Sequence, residues 1–107
     1  MVSNETIQEL VERIKQFDPD KIILFGSYAY GTPNEHSDVD LFVVKENEPS
    51  LRDLRISIRS KLFDIYYKKN FNLDLFVDNN EHINYRKSIG DLFYNDLTSK
   101  GKILYAK

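Results

Sequence analysis

The chain has 107 residues, enough for one domain spanning 1–107 with a real core but with little room for a separate substrate-binding domain. A 41% hydrophobic share with 30% charged residues is a globular composition, and a formal net charge of −2 supplies no bulk attraction to nucleic acid or anionic membrane, so direct nucleic-acid binding is not expected. Cysteine is absent, which excludes disulfides and thiolate zinc sites; no apolar run nears the ~20 residues of a bilayer span, no signal-peptide pattern opens the chain, and the cytoplasm is the expected compartment.

In chain order, the spacing of Ile7, Leu10, Val11, Ile14 and Phe17 predicts an amphipathic helix over 3–17, capped by Ser3 and stopped by Asp18-Pro19-Asp20. Lys21 to Phe25 reads as a short β-branched strand. Gly26 to Gly31 reads as a turn opening into at most a short helix, and Thr32 to Ser37 as a polar loop. Asp38 to Lys45 is the second predicted strand, followed by a turn over 46–49. Ser50 then caps a long helix through about Tyr67, with Asp53 as its capping-box-like partner. Phe71 to Val77 is the third strand. Asn80 is placed as the cap of a helical region to about Ser99, which Gly90 is expected to weaken or split. Gly101 ends it, and Ile103-Leu104-Tyr105 suits an edge strand. The alternation of helix and strand predicts an α/β (α+β) fold, a small mixed sheet of about three to five strands flanked by helices.

The chemistry concentrates in three segments. Gly26-Ser27 follows the apolar run Ile22 to Phe25; Gly allows close backbone approach to a ligand, and the next amides can face phosphate oxygens. Ten residues later, Asp38 and Asp40 stand one residue apart at the head of Leu41 to Val44. Side chains two apart on a strand share a face, and two adjacent carboxylates repel unless a cation lies between them. Asp74 interrupts a third apolar run; beside the Asp38/Asp40 strand it could reach the same metal or accept a proton from an incoming hydroxyl. Such parts suit a two-metal displacement at the α-phosphorus of a nucleotide, with Mg²⁺ as the oxygen-loving cation. Asp78 competes with Asp74 as the third carboxylate; the apolar neighbours of Asp74 favour it. Each piece also has a plain reading: a Gly-Ser turn, a loop-exit Asp pair, a strand-edge Asp. It is their occurrence together and in order that argues for a site.

Gly26-Ser27, ten residues, Asp38-x-Asp40 and then a lone Asp74 between apolar residues resembles the nucleotidyltransferase superfamily of polymerase β type. The stretch Gly26-Ser27-Tyr28-Ala29-Tyr30-Gly31 and the small size look like its minimal nucleotidyltransferase branch. The resemblance covers residues 20–78 firmly and the remainder loosely. It implies that Gly26 and Ser27 grip the triphosphate of ATP, that Asp38, Asp40 and Asp74 bind two Mg²⁺ ions, and that the three carboxylates are catalytic. It further implies a HEPN-domain toxin as partner, silenced by AMP transfer to one of its tyrosines in a toxin–antitoxin module. The chain departs from the family at Tyr30, where many members carry an Arg.

Other residues carry less. His36 and His82 read as solvated surface residues and lack metal-ligand spacing. No Gly-x-x-x-x-Gly-Lys occurs, which excludes a P-loop. On the long helix, Leu51, Leu54, Ile58, Leu62 and Ile65 form the core stripe. Ile56, Phe63 and Tyr67 form a second stripe, which suits a protein partner surface. The cations Arg52, Arg55, Arg59, Lys61, Lys68 and Lys69 form either a strip that could face RNA or, more simply, a solvated face. Two alternatives to catalytic adenylyl transfer remain: an antitoxin that masks its partner by contact alone, and a small-molecule nucleotidyltransferase of the aminoglycoside-modifying type.

Overall fold

A computed structural model describes residues 1–107. Its elements are α1 (Asn4–Lys15), β1 (Lys21–Phe25), α2 (Ser27–Tyr30), β2 (Val39–Val44), α3 (Leu51–Lys68), β3 (Leu73–Asp78), α4 (Asn80–Ser88), α5 (Leu92–Lys100) and β4 (Lys102–Ala106). The four strands form one mixed sheet in the order β3-β2-β1-β4. β1 pairs antiparallel with β2 and with β4, whereas β2 and β3 run parallel through the α3 crossover.

Alternation along the strands separates two cores. On one face, Ile22 and Leu24, Val39, Leu41 and Val43, and Leu73 and Leu75 meet Leu10, Val11 and Ile14 of α1 and Ile58, Leu62 and Ile65 of α3. On the other, Ile23, Phe25, Phe42 and Val44 meet Ile83 of α4 and Leu97 of α5. Burial on both faces explains why β2 is an unbroken apolar run after Asp40.

Most predicted elements stand, with physical reasons for the shifts. Ser3 and Ser50 cap α1 and α3 through their hydroxyls, but α1 stops at Lys15 because Asp18 turns left-handed at φ 54°. Asn79, not Asn80, caps α4: its Oδ1 accepts from the His82 amide. The region after it splits at Gly90, whose φ of +80° ends the helical path, and Asp91 caps α5 with a bond from the Tyr94 amide. The second stripe of α3 is exposed, reaching 71% at Tyr67. No helix is long and apolar enough to cross a membrane.

Candidate active site

The three segments singled out in the sequence meet at one end of the sheet. In register, Phe25 of β1 lies opposite Asp40 of β2, and Asp40 lies beside Asp74 of β3. Neighbouring strands stand about 4.8 Å apart, so the Asp40 and Asp74 side chains leave the same face as close neighbours. Gly26, one residue beyond Phe25, passes directly over Asp40. A Cβ built on Gly26 would fall 2.0 Å from Asp40 Oδ2, and its backbone sits at φ +72°, ψ −156°, a region in practice reserved for glycine. Only glycine serves at this position, for two independent reasons.

Beyond Gly26 the chain turns into the single helical turn of α2. The Ala29 and Tyr30 amides donate back to the Gly26 carbonyl at 3.0 and 3.1 Å, while the Ser27 and Tyr28 amides have no acceptor in the chain. The Ser27 hydroxyl stands beside them. Tyr30, at the position where an Arg was the family expectation, is exposed and puts a phenol there instead of a cation.

Burial pushes the Asp40 carboxyl up to about 7 from an ordinary 3.8, reinforced by a hydrogen bond and charge from Asp74 and more weakly by the charge of Asp38. Asp74 is exposed, so an apolar strand surrounds it in sequence but not in space. Asp38 lies one residue before β2 and lines a separate depression with His36, Ser37 and Asn72. No three acidic or histidine side chains converge on one point. The side-by-side carboxylates Asp40 and Asp74, with the charge of Asp38 close enough to act on Asp40, could hold a cation that draws its other ligands from substrate. Two hard oxygen donors completed by phosphates and water is the donor set Mg²⁺ prefers, so the residues fit the ion.

Asp78 is the buried carboxylate of β3, 8% exposed, and it stands at the far end of the strand in register with Val44. Tyr94 of α5 donates to its Oδ2 at 2.7 Å and His82 Nδ1 meets the same oxygen. Asp78 is thus fully engaged in fastening α4 and α5 to the sheet and is not available beside Asp40. His82 is half exposed, as a surface residue would be, yet it has this partner, a role the sequence reading missed. The i, i+4 spacing of Asp78 and His82 across a helix start was the available signal. Behind the carboxylates, Phe25, Phe42, Phe76 and Phe93 form a cluster of rings with centroids 5.4–6.4 Å apart.

Comparison with known proteins shows the family and the fold. The family described as "Polymerase beta, Nucleotidyltransferase" matches residues 5–107. A protein of Methanocaldococcus jannaschii named as a protein adenylyltransferase is 37% identical over 106 residues, covering 95% of this chain and 71% of that protein. A second protein of that organism with the same description is 29% identical over 103 residues, covering 87% of this chain and 96% of its own length. Among solved structures, a toxin–antitoxin crystal structure with AMP-PNP superposes with a TM-score of 0.63 at 20% identity, covering 94% of this chain and 73% of that chain. At that identity the likeness speaks for the shared fold.

Proposed function

The chain belongs to the polymerase beta nucleotidyltransferase family, and from that premise we propose that it moves the adenylyl group of ATP onto a hydroxyl of a partner protein, a HEPN-domain toxin that it thereby neutralises. The observation that carries the reading is the in-register pair Asp40–Asp74 beside Gly26 and the unpartnered Ser27 and Tyr28 amides. The description of the relatives as protein adenylyltransferases and the toxin–antitoxin setting of the structural neighbour support the acceptor class.

In the proposed reaction the Ser27 and Tyr28 amides and the Ser27 hydroxyl hold the β- and γ-phosphates. Asp74, the exposed carboxylate of the pair, takes the proton of the acceptor hydroxyl. The acceptor oxygen bonds to the α-phosphorus, the bond from that phosphorus to the α,β-bridging oxygen breaks, and pyrophosphate leaves with the electron pair. Asp40 and Asp74, with Asp38 adding charge from the loop, are the residues that would hold Mg²⁺, which when bound lowers the hydroxyl's pKa and neutralises the phosphates.

The test is transfer of label from α-labelled ATP, with Mg²⁺, to the co-purified partner. Asp40→Asn is expected to abolish transfer while the complex still forms. If that variant neutralises the partner as well as the parent does, contact masking is the function and the transfer reading fails.

A further inference from the structure

The chain has five arginines. Arg13 and Arg86 each hold a carboxylate, Asp64 and Asp91. The other three, Arg52, Arg55 and Arg59, lie on α3 and are in no ion pair. Two of them border the site. Arg55 and Arg59 line a cleft of about 350 Å³ together with Leu73, Asp74, Leu75 and Phe76. Arg59 is fixed there: its Nη1 donates to the Leu73 carbonyl at 2.7 Å and its guanidinium lies 5.2 Å from the centroid of the Tyr66 ring. Arg55 is exposed and holds nothing.

The cleft sits on the β3 edge, so the sheet order β3-β2-β1 puts it on the opposite flank of Asp40 from Gly26 and Ser27. That placement has a chemical consequence. Displacement at phosphorus runs with the attacking and leaving oxygens in line on opposite sides. If the leaving pyrophosphate is held at the β1 flank, the attacking hydroxyl must arrive from the β3 flank, across this cleft. The floor of the cleft is Phe76, still 42% exposed although it packs on Phe25, Phe42 and Phe93. It lies two residues along β3 from Asp74, about 6.6 Å, on the same face. A phenol ring laid on Phe76 would bring its oxygen to Asp74, whereas a short serine or threonine would need its backbone inside the cleft.

We propose that this cleft is the acceptor subsite of the transfer reaction and that it selects a tyrosine flanked by acidic residues, with Phe76 seating the ring and Arg55 and Arg59 pairing with the flanking carboxylates. The assignment rests on the adenylyl-transfer reading above. The two guanidiniums have no carboxylate partner and outnumber the one carboxylate of the lining, Asp74, so the cleft favours carboxylates beside the acceptor over cations there.

Two fluorescein-labelled peptides, Glu-Glu-Tyr-Glu-Glu and Lys-Lys-Tyr-Lys-Lys, provide the test. Binding to the full chain with Mg²⁺ and a non-hydrolysable ATP analogue is read by anisotropy, and transfer is read with α-labelled ATP. The acidic peptide should bind about tenfold more tightly than the basic one, and Arg55→Glu should erase or reverse that preference. Phe76→Leu should weaken the acidic peptide several-fold without changing the charge preference. Lys102→Glu, the same charge change on the opposite edge strand, should leave the preference intact. Equal binding of the two peptides by the parent overturns the proposal. So does an Arg55→Glu variant whose KM for ATP rises while its peptide preference stays, since Arg55 would then serve the nucleotide. Charge-selective peptide binding, with label reaching neither the peptide nor the co-purified partner, sinks the adenylyl-transfer reading and with it the assignment of this cleft as an acceptor subsite; label on the partner together with equal binding of the two peptides sinks the subsite alone.

Discussion

Replacing Gly26 by alanine tests the central contact of the site without any appeal to activity. The new methyl would stand 2.0 Å from Asp40 Oδ2, 2.9 Å from its Cγ and 3.4 Å from its Cβ. The backbone at φ +72°, ψ −156° is strained for any L side chain by about 1–3 kcal/mol. Forcing the Asp40 carboxylate aside adds an overpacking cost of about 1–3 kcal/mol. The expected total is about 2–6 kcal/mol, a large part of the stability of a domain this size. The two contributions separate in a double-mutant cycle. Asp40→Ala removes Oδ2 and Cγ and leaves only the 3.4 Å contact, an ordinary van der Waals distance. In that background Gly26→Ala should cost only the backbone strain, a coupling of about 1–3 kcal/mol in the restoring direction. Urea denaturation at pH 5 is the assay, because Asp40 is then largely protonated and charge effects are small. Single-variant costs that add to within about 0.5 kcal/mol would mean that Gly26 and Asp40 do not touch, and the site geometry argued above would be wrong.

Other substitutions probe the supports of the site. Tyr94→Phe should destabilise by about 1–3 kcal/mol in thermal or urea melts, since it strips a hydroxyl donor from the buried Asp78 carboxylate. Ile58→Ala, fully buried between α3 and the sheet, should cost about 2–5 kcal/mol. Phe63→Ser on the exposed stripe of α3 loses ring contacts with Tyr66 and Tyr67 and should cost no more than about 1.5 kcal/mol, so a loss of partner binding by the still-folded variant in a pull-down reads the surface and not the fold. Adding Mg²⁺ at pH 8 should raise the melting temperature of the parent but not of Asp40→Asn, a calorimetric readout independent of turnover.

Local features were legible in the sequence where local physics decides them. β1 has the predicted bounds, Ser3 and Ser50 cap as expected, and Gly26 and Asp40 were marked by type and position alone. What stayed hidden depends on pairing between distant segments. The parallel register that sets Asp74 beside Asp40 is made by the whole α3 crossover, and nothing local to Leu73-Asp74-Leu75 announces it. The apolar flanks of Asp74 suggested burial, yet they point to the other face, and it is Asp78, beside the polar Asn79 and Asn80, that is covered. The covering residue, Tyr94, comes from α5 and is invisible until the break at Gly90 folds α5 back onto the sheet. Arg55 looked like one more cation on a solvated helix until the edge position of β3 put it beside Asp74.

The site works against the stability of the fold that carries it. Gly26 sits in a conformation that costs other residues strain, and Asp40 is partly buried next to Asp74 and near Asp38 with no cation side chain to pair it. The sign of the second effect follows from linkage. The folded state holds the Asp40 proton up to about pH 7, whereas the unfolded chain releases it near 3.8, so stability is greatest below pH 4 on this account and declines as pH rises through 7. Asp40→Asn removes that titration. Its stability advantage over the parent should therefore grow from pH 4 to pH 8 in denaturation curves, while its transfer activity is lost. Structural residues should not behave this way: changing Ile58 or Tyr94 is expected to lower stability. A carboxylate whose removal strengthens the apo protein, and whose presence costs least when a divalent cation and a triphosphate lie beside it, is placed for its ligand. Should Asp40→Asn prove less stable than the parent at pH 8, the cost inferred for a charged Asp40 held partly buried beside Asp74 does not exist, and with it goes the physical reason for a cation at this pair.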